Sequence, residues 1–129
     1  IAVAELTLGL ALSLLRHIPQ AHTKVQTGLW NDPVGPYISL RGTELYGKVA
    51  GIIGFGAVGR EAARRFQAFG MKVLVSDPYV KPVMVSREGY CPVDLETLLK
   101  ESDIISIHCS ATDARYTRHR GRRTRRRAP

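Results

Sequence analysis

Apolar residues in this chain form one long segment of helical length, followed by four short runs of strand length. The long segment covers residues 2–18, where Ala and Leu dominate and Gly9 is the only weak helix former. Its leucines lie nearly all round the predicted helix, so the helix must be buried on several sides. We expect this long apolar helix to pack against another domain or another subunit, and Pro19 to weaken or end it.

The four short runs predict strands at residues 49–53, 71–76, 90–93 and 104–108. Helix-length segments separate them at residues 60–69, 82–89 and 94–100, with Asp94 placed to cap the last one. The first run is apolar throughout, as expected of a central parallel strand that is buried on both faces. Alternating strands and helices with short connections predict an α/β fold, an incomplete doubly wound parallel sheet of about four strands.

Residues 27–47, between these two regions, show neither the periodicity of a helix nor that of a strand. They contain the breakers Gly28, Pro33, Gly35, Pro36 and Gly42. Such a composition predicts an irregular loop. We expect its aromatic residues Trp30, Tyr37 and Tyr46 to anchor the loop by packing on the domain, with ligand contact as the alternative.

The candidate chemistry begins with residues 54–59, Gly-Phe-Gly-Ala-Val-Gly, which follow the first predicted strand and open a helix. In that context the pattern G-x-G-x-x-G is a dinucleotide-binding fingerprint. Gly54 allows the tight turn, Gly56 lets the pyrophosphate approach the backbone, and Gly59 lets helix and strand pack closely. The alternative is that the glycines mark only a tight strand-to-helix turn.

The fingerprint predicts further contacts along the same edge of the sheet. The N–H groups near Ala57 and Val58 are expected to point at the phosphates, where the helix dipole adds favourable charge. Asp77 lies 18 residues after Gly59 and is expected to accept hydrogen bonds from the adenosine ribose. Because a carboxylate there repels a 2′-phosphate, NAD is favoured over NADP. The alternative is that Asp77 only caps the turn before Pro78.

His108 ends the fourth predicted strand, at the edge where ligands bind in open α/β sheets. A general base needs a positioned partner, so we expect His108 to line the cofactor site rather than to catalyse. Cys109 and Thr112 follow on the same loop and are expected to contact the cofactor. The other three histidines form no metal-ligand pattern with Cys or acidic residues, so no metal is expected.

Eight features resemble one known family in the same order. They are 3–5 (Val-Ala-Glu), the Leu-rich helix, 28–30 (Gly-Leu-Trp), 44–48 (Glu-Leu-Tyr-Gly-Lys), the glycine fingerprint, 68–71 (Ala-Phe-Gly-Met), 77–79 (Asp-Pro-Tyr) and 102–108 (Ser-Asp-Ile-Ile-Ser-Ile-His). Together they resemble the D-isomer-specific 2-hydroxyacid dehydrogenases, the phosphoglycerate dehydrogenase-like group, from Ile1 to about Ala114. The resemblance implies a Rossmann NAD-binding domain inserted into a substrate domain, a homodimer, and reversible hydride transfer between NAD and a 2-hydroxy or 2-keto acid.

Residue by residue, the resemblance implies nine cofactor contacts: Gly54, Gly56, Ala57, Val58, Gly59, Asp77, His108, Cys109 and Thr112. The first helix corresponds to the family's helix between domains and subunits. The family often has Arg-Ile in place of Ala57-Val58, which matters little if backbone amides make the contact, and Pro in place of Ser110, whose loss is expected to loosen the loop. Its catalytic Arg, His and acid lie beyond the fourth strand, so this chain is expected to lack catalytic residues and, alone, to be inactive.

The net charge of +8 comes from one end of the chain. Residues 1–114 contain 11 Lys/Arg and 11 Asp/Glu, whereas residues 115–129 contain 8 Arg and no acid. A block of like charge cannot bury a core, so we expect a disordered tail. We favour an out-of-frame origin, because GC-rich coding DNA in a wrong frame yields mainly Arg, Ala, Gly and Pro. The alternative is a basic arm that binds nucleic acid or acidic partners.

The remaining composition concerns the compartment. Only Cys91 and Cys109 occur, which fits a reducing compartment and an expected cytoplasmic location. The apolar residues 1–15 include Glu5 and are shorter than the roughly 20 residues that a membrane-spanning helix needs. A buried helix is therefore expected, with no membrane partner. The chain begins at Ile1 rather than Met, which indicates that it is processed, cut or incomplete.

These patterns divide the chain into four parts. Residues 1–26 form an interdomain or dimer-type helix, 27–47 the irregular loop, 48–114 the first half of an NAD-binding domain, and 115–129 the tail. The favoured hypothesis is the NAD-binding portion of an oxidoreductase that acts on the CH–OH group of 2-hydroxy acids. The alternative is a non-catalytic nucleotide-binding module whose basic tail binds nucleic acid or acidic partners.

Overall fold

A computed structural model describes residues 1–110 of the chain. Its helices are α1 (Ala2–Leu15), α2 (Ile18–Gln26), α3 (Val34–Ser39), α4 (Ala57–Ala68), α5 (Pro82–Arg87) and α6 (Leu95–Glu101). Its strands are β1 (Val49–Ile53), β2 (Lys72–Ser76), β3 (Cys91–Pro92) and β4 (Ile104–Ile107). The predicted contact at Thr112 and the predicted tail at 115–129 lie outside the described residues.

The four strands form one sheet in the order β3-β2-β1-β4, and every pair of neighbours is parallel. The chain moves outward from β1 to β2 and β3, then returns to the other side of β1 as β4. This change of direction is the switch point of a doubly wound, Rossmann-type sheet, and ligands bind outside the carboxyl ends of the strands there. The prediction of a four-stranded parallel α/β sheet is confirmed.

The core lies between β1, β2 and the helix that connects them. Continuous apolar runs make both strands buried at their centres. Helix α4 contributes Ala62, Ala63 and Phe66, each at most 1% exposed, and α6 contributes Leu98 at 0%. Asp94 caps α6 as predicted, because its Oδ1 accepts a hydrogen bond from the Thr97 N–H at 2.7 Å.

The prediction of one long helix over residues 2–18 is wrong. Helix α1 ends at Leu15, and α2 starts at Ile18 after a bend of 65°. His17 at the bend adopts a left-handed conformation with φ of 54°. Pro19 lies in the first turn of α2, where a residue without an N–H and with a fixed φ is tolerated. Pro19 therefore belongs to the first turn of a second helix and does not only end the first.

Helix α1 is buried on one face only. Ala4 and Ala11 are 1% and 4% exposed where α1 packs on α4. Four large side chains on another face are 56–69% exposed: Val3, Leu6, Leu10 and Leu14. We call these four residues the α1 stripe. Burial on several sides, which the apolar composition predicts, is therefore not reached within residues 1–110.

Among residues 1–110, no single helix is long and apolar enough to cross a membrane. The bent pair α1 and α2 passes such a test jointly, on length and composition only.

Residues 27–47 are less irregular than predicted, because they include α3. Asp32 stabilises the first turn of this helix from just outside it: its Oδ1 accepts hydrogen bonds from the N–H groups of Val34 at 2.7 Å and Gly35 at 2.6 Å. These bonds also lower the pKa of the Asp32 carboxyl. The expected aromatic anchors are not buried, since Trp30, Tyr37 and Tyr46 are 43%, 61% and 78% exposed. Pro36 and Leu45 are the buried residues of this segment.

Candidate dinucleotide site

A cleft of about 230 Å³ opens at the carboxyl ends of β1, β2 and β4. It is lined by Gly54, Gly56, Asp77, Tyr79, His108, Cys109 and Ser110. Five of the predicted contact residues are thus brought together from three strands, although Gly54 and His108 are far apart in sequence. Ala57, Val58 and Gly59 form the first turn of α4, directly after Gly56.

The strand-to-helix turn requires glycine at two positions, because other backbone atoms lie too close for a side chain. Gly54 has φ of +92°, a left-handed conformation that favours glycine, and a Cβ there would lie 2.6 Å from the Cys109 nitrogen. A Cβ on Gly59 would collide with the Gly54 carbonyl oxygen. Side chains at either position would therefore push α4 or the loop after β4 away from β1.

The start of α4 is open. Gly56 is its N-cap, with no side-chain cap hydrogen bond, and a Cβ on Gly56 would meet no atom within 4 Å. The first N–H groups of a helix have no partner within the helix, so they are available to an anion. The cleft thus combines free backbone donors with space for a phosphate group.

Asp77 connects the end of β2 with the glycine loop. Its Oδ2 accepts a hydrogen bond from the Phe55 N–H at 2.7 Å, and its Oδ1 accepts one from the Tyr79 N–H at 2.8 Å. The second bond is the turn-capping role considered as the alternative for this residue. Each carboxylate oxygen has more than one acceptor site, so these bonds leave capacity for ribose hydroxyls. Structural and binding roles are therefore compatible in one side chain.

His108 is held at the β4 end of the cleft. Its backbone N–H donates to the Ile53 carbonyl at 2.7 Å, and its ring Nε2 lies 2.8 Å from the Ser106 hydroxyl. Partial burial lowers the pKa of His108, which favours the neutral ring near pH 7. Among the described residues, no carboxylate hydrogen-bonds to this ring. The geometry fits a residue that lines a site better than a general base.

Arg60 is a site-related residue that the sequence patterns miss. It follows Gly59 and donates through Nη1 to the Phe55 carbonyl at 2.7 Å. Its other partner, Glu88, is 28 residues away, so no local pattern could have revealed the arrangement. Tyr79 also lines the cleft. Its position directly after Asp77-Pro78 could have indicated this from the sequence.

A larger cavity, of about 540 Å³, lies among α1, α2 and α3, away from the glycine loop. Arg16, Trp30, Tyr37 and Arg41 are among its lining residues, and it includes none of the predicted contact residues. Among residues 1–110, no group of three His, Cys, Asp or Glu side chains could hold a metal ion. The smaller cleft is the candidate site, because it combines free helix donors, an acid and the switch point.

Comparison with known proteins relates this geometry to an enzyme family. The sequence model of one protein family, described as the D-isomer specific 2-hydroxyacid dehydrogenase, NAD binding domain, matches residues 8–120 of this chain. A hydroxypyruvate reductase of Thermotoga maritima is 46% identical over 118 residues, which are 92% of this chain and 35% of that enzyme. The chain therefore spans about a third of the length of this relative.

Solved structures agree with the sequence match. D-lactate dehydrogenase from Escherichia coli superposes with a TM-score of 0.78 at 37% identity, over 89% of this chain and 35% of that one. D-lactate dehydrogenase from Aquifex aeolicus, solved with NAD and lactic acid, gives a TM-score of 0.76 at 33% identity, over 87% and 32%. The chain therefore belongs to the D-isomer specific 2-hydroxyacid dehydrogenase family and corresponds to its NAD-binding domain.

Proposed function

We propose that this chain binds NAD in the cleft at the switch point, as part of an NAD-dependent 2-hydroxyacid dehydrogenase. The observation that carries the proposal is the junction at Phe55. There the Asp77 carboxylate, held by the Phe55 N–H at 2.7 Å, borders the uncapped start of α4. An acid for the ribose and free N–H groups for the pyrophosphate therefore share one cleft.

The cofactor contacts follow the order of the strands. In the proposed arrangement, Asp77 holds the adenosine ribose, and Gly54, Gly56 and the first turn of α4 hold the pyrophosphate. That first turn consists of Ala57, Val58 and Gly59. His108 and Cys109 line the remaining part of the cleft, and Thr112 stays a prediction from sequence. Support comes from the lining of the cleft and from the family to which the chain belongs.

The reaction proposed for the whole protein is oxidation of the CH–OH group of a 2-hydroxy acid, or reduction of the 2-keto acid. Bound NAD supplies the hydride acceptor in this chemistry. The described residues of this chain bind and orient the cofactor, and we assign none of them as the catalytic base. The substrate remains a 2-hydroxy or 2-keto acid without further definition, and the cytoplasmic location is proposed because both cysteines are free thiols.

The α1 stripe is the proposed contact with the rest of the enzyme. It exposes apolar side chains to water, which is energetically unfavourable; they are Val3, Leu6, Leu10 and Leu14. We propose that a second copy of the protein covers it in a homodimer, as the family resemblance implies. The four-part domain division is likewise proposed, including the interdomain role of residues 1–26.

The second candidate function, a nucleotide-binding module with a basic arm, depends on residues 115–129. The observation in its favour is a block of 8 Arg without an acid. Coding DNA beyond codon 114 distinguishes the two candidates, because a continuous dehydrogenase sequence in another frame would make the tail an artefact. Salt-dependent nucleic-acid binding that is lost on deletion of residues 115–129 favours the second candidate instead.

Calorimetric titration of the chain with NADH and NADPH tests the first candidate. NADH is expected to bind more tightly, and Asp77→Asn is expected to weaken NADH binding about tenfold, since a hydrogen bond to a charged group is lost. Asp103→Asn is the matched control: its Oδ2 accepts from the Val49 N–H at 2.8 Å, at the opposite end of β1. Equal affinity for NADH and NADPH, or equal effects of the two substitutions, contradicts the proposal.

A further inference from the structure

Arg60 joins the glycine loop to the end of α5. Its Nη1 donates to the Phe55 carbonyl at 2.7 Å, and its Nε donates to the two carboxylate oxygens of Glu88 at 2.9 and 3.1 Å. The guanidinium carbon lies 4.6 Å from the centre of the Phe55 ring. Arg60 itself does not line the cleft. Two of its contacts, the hydrogen bond to the carbonyl and the contact with the ring, are with Phe55, the residue that connects Gly54 with Gly56.

Phe55 is held on both sides of its main chain by charged residues. Its N–H donates to Asp77 and its carbonyl accepts from Arg60, so both neighbouring peptide units are fixed. Its ring is 0% exposed and meets the Tyr90 ring edge to face, with centroids 5.6 Å apart. Without these contacts, a residue between two glycines would have unusual backbone freedom.

Glu88 orients the Arg60 side chain. It follows α5 directly, and its N–H donates to the carbonyls of Met84 at 3.3 Å and Val85 at 3.2 Å. The side chains of Arg60 and Glu88 are both 35% exposed, so the ion pair itself contributes little to stability. Its consequence is geometric, because a guanidinium held through Nε presents Nη1 in a fixed direction.

We propose that Arg60 is a positioning residue of the dinucleotide site, acting through Phe55. With Asp77 on the other side, it fixes the loop so that the N–H groups at the start of α4 face the cleft before the pyrophosphate arrives. Binding to a loop that is already ordered avoids the entropy cost of ordering it. This inference rests on the proposed NAD-binding function and deepens it.

The test compares ADP-ribose, which contains the pyrophosphate, with adenosine, which does not. Arg60→Gln is expected to weaken ADP-ribose binding about tenfold, because a charge-assisted hydrogen bond to the loop is lost. Adenosine binding is expected to stay unchanged, since Arg60 does not line the cleft. Arg65→Gln is the matched control on α4, because Arg65 pairs with Glu61 at 2.6 Å and does not contact the loop. It is expected to leave both affinities unchanged.

Two milder variants keep the test decisive if Arg60→Gln does not fold. Arg60→Lys retains the charge without the planar fork and is expected to recover part of the ADP-ribose affinity. Glu88→Gln is expected to weaken ADP-ribose binding less than Arg60→Gln does. Unchanged ADP-ribose affinity in these variants, or equal loss of ADP-ribose and adenosine, overturns the inference alone. Failure of the unsubstituted chain to bind ADP-ribose overturns the proposed function, and this inference with it.

Discussion

The unit from β1 to β2 buries most of its apolar residues, whereas the N-terminal helices leave many of theirs exposed. Ile52 and Ala63 are 0% exposed, while Leu6 and Leu10 are 62% and 61% exposed. Strand β1 and helix α1 both have strongly apolar sequences, so composition does not separate these two elements. The difference is that β1 has strands on both sides and a helix above it, whereas α1 packs mainly on α4.

The two regions also differ in how their main chains are held. Strand β1 is bordered by two aspartates: Asp103 accepts from the Val49 N–H and Asp77 from the Phe55 N–H. The α1–α2 junction has no such side-chain link, since its N-cap His17 makes no side-chain cap hydrogen bond. A backbone bond from the Thr43 N–H to the Leu15 carbonyl at 2.8 Å holds the end of α1 instead. The site is therefore built on the region whose backbone is fixed by aspartate side chains distant in sequence, whereas the α1 stripe stays exposed within residues 1–110.

The largest expected effect comes from removing a buried ring. Phe66→Ala, at a residue 1% exposed, is expected to lower the free energy of unfolding by about 3–5 kcal/mol. Leu10→Ala on the α1 stripe is expected to change it by less than about 0.5 kcal/mol. Urea denaturation of both variants measures the contrast. A large loss for Leu10→Ala would show that a partner buries the stripe in solution.

Two Gly→Ala substitutions are expected to change the free energy of unfolding in opposite directions, one in each region. Gly59→Ala places a Cβ against the Gly54 carbonyl oxygen and is expected to cost about 1–3 kcal/mol, with loss of NADH affinity. Gly9→Ala places a Cβ in open space within α1 and is expected to stabilise by up to about 1 kcal/mol. Thermal unfolding and NADH titration measure both. Stabilisation by Gly59→Ala would contradict the close packing of α4 on β1.

Helix caps give a smaller contrast. Asp94→Ala removes the cap of α6, which packs on the sheet, and is expected to cost about 1 kcal/mol. Asp32→Ala removes the side-chain hydrogen bonds to the first N–H groups of the six-residue α3, and its loss is expected to appear mainly as faster amide exchange in residues 33–39. Urea denaturation and hydrogen exchange distinguish global from local loss. Equal global effects would contradict the comparison.

The smallest effect concerns pH. Burial lowers the pKa of His108 below its ordinary value of 6.5, so the unfolded chain binds this proton more tightly than the folded chain. The contribution of His108 to stability is therefore complete above pH 6.5 and is lost as the pH falls through the folded-state pKa. Urea midpoints at successive pH values measure this slope, and His108→Asn is expected to reduce it. An unchanged slope in the variant would exclude His108 as its source.

Elements with strong local signals were predicted from sequence nearly residue by residue. The run at 49–53 matches β1 in full, because a continuous apolar pentapeptide before a glycine turn has few alternatives. Errors arose where a local residue admits two roles. Pro19 was read as the end of one helix but lies in the first turn of the next, and Asp32 stabilises the first turn of a helix inside a segment rich in breakers.

The candidate site shows the same division. The spacing from Gly54 to Gly59 and on to Asp77 could be read directly, since a short backbone turn imposes it. The contact between Arg60 and Glu88 could not, because it joins the start of α4 to the end of α5 across 28 residues. The exposure of the α1 stripe was equally inaccessible, since it depends on which neighbours α1 has.

The sequence alone determined the order of strands and helices, the glycine turn and the acid that follows the second strand. These features depend on local periodicity and on the backbone freedom of glycine, which neighbouring residues encode. The tertiary structure decided which strands adjoin β1, which face of α1 is covered and which charged side chains fix Phe55. Those outcomes depend on contacts between residues distant in the chain, and only the packed fold brings such residues together.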